Sequence, residues 1–536
     1  VQEKNAAPAA SSKEDKVLFW ACFVALIATA FGFVLRTMVI GDWGVEFNLT
    51  ETQKGEIFGV GLWPFAISIV LFSFIIDRIG YGTAMAFAFI CHVASAILTI
   101  AAPWIAGGDS NVGYWTLYIG TFIVALGNGT VEAVVNPVVA TMFWRHKAKW
   151  LNILHAGWPG GLVIGGLLAI FFADWGWQLK IGLILLPTVA YGVMMLGRKF
   201  PIHERVAAGV SYLAMLKEVG FLGAFIVVFL MTKEIMRVIE GREWLFVGWE
   251  EGAKWGTAAL IALILAGLFG VLVRSLGRPM FIFLLLIMIP LATTELGTDT
   301  WITPLMENSM KALGANAGWV LVYTSFIMMC LRFFAGPIIH RFSPLGLLAI
   351  CAVIAAIGLY SLSFAAGFAI LIAATIYGVG KSFFWPTMLG VVAEQFPRGG
   401  ALTLNTIAGV GMLSVGILGA PFLGYVQDRE VDQSLTSYDT EQGTELHGTY
   451  VTLDKVGIFG NYMALDQEVV KTAPEADVQV IETVQAEASR TTLRMITILP
   501  IIMLVCYLIL IAYFRSKGGY NAIHLTEDGR AMEVAP

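Results

Sequence analysis

Residues 127–161 read GNGTVEAVVNPVVATMF, WRHKAKW, LNILHAGWPGG: two apolar runs joined by a short basic loop. The first run carries one carboxylate, Glu132, and one carboxamide, Asn136, four residues apart and so on one face of a helix. The loop holds Arg145, His146, Lys147 and Lys149, and the second run opens with Leu151-Asn152 and reaches His155. An ionisable group inside a bilayer costs roughly 2.5–3.5 kcal/mol on insertion scales, so it faces a cavity or a partner. Basic loops between spans mark the cytoplasmic side. This hairpin therefore predicts a membrane-embedded bundle, orients it, and makes Glu132 the first candidate for a working residue. The plainer alternative, for Glu132 and Asn136 alike, is a bond that pins one helix to the next.

The whole chain agrees with its central hairpin. Of 536 residues, 58% are hydrophobic and 13% charged, and the mean hydropathy is +0.78. That balance belongs to a polytopic membrane protein and excludes a soluble globular domain. The net charge of −5 says little about partners, because sidedness matters more than the sum. The five cysteines stand singly in apolar runs, without metal-ligand spacing or a disulfide framework. No small-residue cleavage site follows the polar start, so the first span is expected to be retained. Phosphate loops, metal clusters and nucleophile motifs are missing, so neither an enzyme nor a cofactor is expected. Nucleic acid binding has no support.

Runs of about 20 apolar residues are spanning candidates, and six lie at 17–40, 55–76, 82–103, 114–142, 151–173 and 179–197. Of two more, 254–274 is a clear span, and the weaker 219–238 is accepted with it on parity, since Arg198, Arg274 and Arg278 should share one side. Six others fall at 279–303, 316–338, 345–363, 367–392, 402–426 and 491–515. About fourteen spans divide the chain into a cytoplasmic tail (1–16), a six-helix bundle (17–198) and a linker with two additional spans (199–275). A second bundle (276–426 and 491–515) is interrupted by an acidic extracytoplasmic loop (427–490), and a cytoplasmic tail (516–536) follows. The loop is too long for a simple connection, being either an ordered cap or a mobile segment. The expected location is the plasma membrane, or the inner membrane of a Gram-negative cell.

The two bundles echo each other. SFIIDRIGYG (73–82) and GPIIHRFSPLG (336–346) follow the second span of each, and Leu151-Asn152 finds a counterpart in Leu404-Asn405. Parallel six-span repeats with a site between the halves are a transporter plan. The first loop resembles the cytoplasmic loop motif of the major facilitator superfamily through Asp77, Arg78 and Gly80, with Ser73 in place of its first Gly. The later copy keeps Gly336 and Arg341 but has His340 for the Asp. Within that superfamily, Gly127, Gly129, Glu132, Asn136, Pro137 and Leu151-Asn152 resemble the fucose–galactose–glucose:proton symporter group. The resemblance implies an all-α major facilitator fold and makes Glu132 the proton-coupling residue near a sugar. One member of the group has an acidic residue in span one, where this chain has Arg36.

Substrate contacts are expected from polar and aromatic residues deep in the spans: Asn136, Arg36, Trp158, Glu295, Lys381, Trp385 and His155. Arg36 and Glu295 lie at similar depths and are expected to pair across one cavity; Lys381 is expected to neutralise or to pair with Glu132. Asp77, Arg78, Arg332, His340 and Arg341 are expected to gate, pairing and separating at the cytoplasmic ends of the spans. Pro64, Pro137, Pro159, Pro290 and Pro386 should free carbonyls toward a cavity. The expected function is a secondary transporter of a sugar or similar polar solute, coupled to protons and embedded in membrane lipid. Two alternatives are a fourteen-span drug or metabolite:proton antiporter and a transporter-like receptor using residues 427–490. Nothing in the sequence specifies the oligomeric state.

Overall fold

The computed structural model describes residues 15–534 except 173, 243, 300, 301, 303–305, 307–309, 312, 313, 315–317, 458, 527 and 528. Most of the tail expected over 1–16 lies outside them. Thirteen helices are long and apolar enough to cross a bilayer, and one bent pair brings the described spans to fourteen. The first six are α1 (Lys16–Glu46), α2 (Gln53–Ile79), α3 (Tyr81–Ile100), α4 (Ser110–Met142), α5 (Trp144–Leu168) and α6 (Trp177–Met195). Next come α7 (Tyr212–Gly241) and α8 (Glu251–Val273). The last six are α9 (Pro279–Gly297), α10 (Gly318–Phe333 with Ala335–Phe342, bent by 70°), α11 (Pro344–Leu362), α12 (Ala369–Gln395), α13 (Pro397–Gln442) and α14 (Glu475–Ser516).

Several helices outrun their apolar runs. The 33 residues of α4 measure about 50 Å, against a hydrocarbon core of about 30 Å. Hydropathy marks where the bilayer ends, not where the backbone stops being helical. The same effect reshapes the acidic stretch 427–490. α13 and α14 continue out of the bundle as a packed pair, joined by a short helix (Leu446–Tyr450) and a hairpin of β1 (Leu453–Gly457) and β2 (Gly460–Ala464). Val431, Leu435, Ile481 and Val484 form its apolar core. What reads as a loop is a small ordered cap. At the opposite end, which carries the basic loops, residues after α14 form a second hairpin, β3 (Ala522–Leu525) with β4 (Ala531–Val534).

The two intervening spans sit outside the twelve. α7 packs against α9 and α13, while α8 packs mainly on α7 and leaves Leu263, Leu268 and Val271 exposed, as a lipid-facing helix should. On α7, Lys233 pairs with Glu251 of α8 at 3.2 Å, and Glu234 holds Arg237 at 2.6 Å.

Glycines set the closest helix approaches. A Cβ at Gly129 would lie 2.2 Å from the Phe65 carbonyl oxygen, so α2 and α4 touch backbone to side-chain-free backbone. Gly129→Val is expected to cost about 3 kcal/mol or more by overpacking. Gly41→Val, with nothing within 4 Å of the new Cβ, is expected to be neutral. Thermal unfolding of the two purified variants checks this; equal midpoints would refute it.

Candidate functional site

Between the bundles, buried polar groups form one connected chain. On α4, Asn136 Nδ2 donates to Glu132 Oε2 at 2.7 Å, as the four-residue spacing allows. Asn136 Oδ1 lies 2.8 Å from His155 Nε2 on α5. A carboxamide oxygen only accepts, so the histidine carries its hydrogen on Nε2. From α10, Arg332 donates through Nη1 to the His155 carbonyl at 2.8 Å and through Nη2 to Glu295 Oε1 at 2.6 Å. Glu295 Oε2 accepts the Trp385 backbone N–H at 2.9 Å. Glu132, Asn136, His155, Glu295 and Arg332 are all buried.

Prolines explain why backbone carbonyls join this chain. A proline has no N–H for the carbonyl four residues earlier, which is left to find another donor. Pro159 frees the His155 carbonyl and Pro386 frees that of Ser382; Arg332 collects both, bonding Ser382 O through Nε at 2.6 Å. Pro137 frees the Ala133 carbonyl, and Asn405 of α13 donates to it at 3.1 Å across the bundle boundary. Asn152, the repeat partner of Asn405, crosses the other way to Thr387 Oγ1 at 3.1 Å. After Pro290, α9 widens into a π-helical turn, Thr293–Gly297, that carries Glu295. Such turns often mark working positions.

A cavity ends on this network. Glu132, His155, Glu295, Arg332, Trp158 and Trp385 line its inner end. It continues past Phe65, Trp158, Leu296 and Met412 into a mostly apolar chamber that holds Arg36, Asn128 and Asp299 and reaches Trp43 and Phe58, toward the cap end. Toward the basic-loop end the bundles are sealed. Lys147 pairs with Glu204 at 2.7 Å and donates to the Ala393 carbonyl at 3.2 Å, while Glu394 accepts the Ala148 N–H at 3.2 Å. Leu525 of β3 donates its N–H to Glu204 at 2.9 Å, and Tyr520, just before the hairpin, donates to Glu394 at 2.8 Å.

This seal titrates. Burial alone would raise the Glu204 carboxyl, but Lys147, with His524 and the Leu525 N–H, holds it well below the usual carboxylate range. His203 is moved the other way from charge: burial lowers it from 6.5 to about 4, despite Asp77 and Glu204 nearby. The folded ring stays neutral where the unfolded one gains a proton, so its stabilisation is complete above pH 6.5 and is lost as pH falls toward 4. The loss amounts to on the order of 3 kcal/mol. Thermal midpoints between pH 7 and 4 should fall less steeply for His203→Gln than for wild type; parallel curves would contradict this.

The structure redistributes several expected partners. Arg36 does not reach Glu295: it donates to Gly32 O at 3.0 Å and to Ser95 Oγ at 2.8 Å, folding back along α1 against α3. Glu295 takes Arg332, which shares its own bundle. Arg332 therefore does not stand exposed at a span end as expected, but is buried among the site residues, 1% exposed. Lys381 pairs with Asp299 and not with Glu132, and lies 5.1 Å from the Tyr377 ring. Asp77 pairs with Arg205 of the linker, and Arg78 lies over the Tyr212 ring at 5.1 Å. His340 and Arg341 are exposed; the His340 ring approaches that of His146 at 5.5 Å. Asn128 escaped the sequence reading. It bonds His92 at 2.9 Å and lines the chamber, and its place four residues before Glu132 was the available signal.

Comparison with known proteins follows the same line. Residues 20–294 match the family described as Major Facilitator Superfamily. The cis,cis-muconate transport protein of Acinetobacter baylyi is 25% identical over 178 residues, 32% of this chain; the match spans only 40% of that protein. A proton:xylose symporter structure superposes with a TM-score of 0.57 at 12% identity, over 91% of this chain and 94% of that one. The human organic anion transporter gives 0.53 at 10% identity, over 92% and 100%. At such identities the likeness is one of fold.

Proposed function

The chain belongs to the Major Facilitator Superfamily, and we propose that this multi-pass transporter carries a sugar or similar polyhydroxy solute together with a proton, by alternating access. The observation that carries this reading is the Glu132–Asn136–His155 chain at the blind end of the cavity, beside Trp158 and Trp385. Hydroxyls would meet the Glu132 carboxylate and the His155 imidazole, with Asn136 held behind them by both and not lining the cavity, and a sugar ring would stack on flat indole faces. A carboxylate is a group that can take up and release a proton during the cycle. As a carboxylate, Glu132 accepts from Asn136; once protonated it keeps an acceptor for that bond and gains an O–H donor, whose need for an acceptor can drive a rearrangement of the contacts around it. Since Arg332 holds His155 and Glu295 together, such a rearrangement bears directly on the boundary between bundles. The opposite state requires the seal at Lys147, Glu204 and Glu394 to part while the chamber near Trp43 closes.

A second reading, a small organic anion, draws on Arg36. Among the described residues its guanidinium has no carboxylate partner, its Nε is buried without a bond, and it lines the apolar chamber. The partial relative named for transport of cis,cis-muconate, a dicarboxylate, adds to this. Uptake of labelled hexoses, deoxyhexoses and small carboxylates into proteoliposomes, with and without an inward proton gradient, decides between them. Gradient-driven sugar accumulation supports the first reading. Carboxylate accumulation in its place would transfer the assignment to the second.

A further inference from the structure

A second cavity lies away from the transport path and shares no lining residue with it. It sits where α9 begins at Pro279 and α14 ends at Ser516, the level at which apolar spans give way to water and lipid head groups lie. Phe283, Ile509 and Tyr513 wall one side, and Ile509 and Tyr513 are about half exposed on the face turned to lipid. The β3–β4 hairpin closes it through Ile523 and Ala531.

Its charges are unbalanced. Arg278 Nε bonds both oxygens of Glu218 at 3.2 Å, which matches one cation to one anion. Arg398 also lines the cavity, and among the described residues its side chain forms no hydrogen bond or ion pair. Its Nε is shielded from solvent and unbonded, a costly arrangement for a cationic donor unless something else completes it. Tyr513 and Gln395 add polar groups at the rim.

We propose that this cavity binds the head group of an anionic glycerophospholipid. The phosphate would lie against Arg398, with Arg278 alongside, and an acyl chain would run over Phe283 and Ile509. Free phosphate fits less well, because an all-polar cradle would suit it and these walls are apolar and continuous with the bilayer face. A zwitterionic lipid would bring a second cation toward two arginines.

The test uses the intact purified protein in detergent. It is titrated separately with dioleoylphosphatidylglycerol, dioleoylphosphatidylcholine and inorganic phosphate, and read by native mass spectrometry and thermal unfolding. Phosphatidylglycerol is expected to be retained and to raise the unfolding midpoint of wild type. Arg398→Gln should weaken that binding roughly fivefold, the effect of one interfacial arginine, while its lipid-free midpoint matches wild type. Arg429→Gln, in the cap, should bind as wild type does. Equal retention of both lipids, unchanged affinity in Arg398→Gln, or the same midpoint rise with inorganic phosphate alone would each overturn the proposal.

Discussion

Glu132→Gln will exchange solute across a proteoliposome membrane at rates near wild type but will not accumulate it against a gradient. The substitution keeps size and keeps an oxygen that can accept the 2.7 Å bond from Asn136. It removes only the capacity to change charge. If one proton enters with each solute, an inward gradient of one pH unit supports up to about tenfold accumulation, the factor that one unit of proton free energy carries. The variant should level off at equal concentrations inside and out. Accumulation by the variant would place coupling on another group. Loss of exchange as well would mean that Glu132 is needed for binding itself, and the coupling assignment would fall.

Arg332→Ala is expected to be the most damaging single change in the site. Arg332 lies 2.6 Å from Glu295 and also serves the two carbonyls that Pro159 and Pro386 leave without donors. Its loss strands a buried carboxylate and two buried acceptors together. Breaking a buried pair from one side costs about 3–5 kcal/mol, so this variant should lose most of its folded stability and its transport. Glu295→Gln should cost less, because Arg332 keeps both carbonyls and the new amide can still accept from it. The double variant Arg332→Ala/Glu295→Gln should be more stable than the sum of its parts predicts, with a coupling of about 0.5–3 kcal/mol. Denaturation in detergent and uptake in liposomes read the two effects. Additive single and double losses would show that the pair does not act as a unit.

Much of the molecule was legible in the chain because the relevant signals are local. A bilayer reads about twenty residues at a time, so hydropathy located the spans, and the loop around Asp77-Arg78 pointed to the family. Glu132 and Asn136 were readable as one face because helical spacing is fixed. Even the freed carbonyls followed from proline chemistry, although not the donors that meet them. The cap over 427–490 was open between two forms, since its small core of Val431, Leu435 and Ile481 comes from segments far apart in the chain.

Partner choice was a different matter. Arg36, Arg332 and Lys381 were all cations in search of carboxylates, and depth along a span suggested Arg36 for Glu295. Depth fixes one coordinate, whereas a 2.6 Å bond needs all three. Arg332 wins because α10 packs against α5 and α12, and from there one planar guanidinium with several donors reaches a carboxylate of α9 and the two carbonyls freed by Pro159 and Pro386. The sequence by itself determined a membrane bundle of about fourteen spans and the helix face on which its carboxylate stands, because those are consequences of composition and pitch. Only the tertiary structure decided which charges meet, which end is sealed and where the cavity stops, because those depend on the crossing of helices that no local window of residues contains.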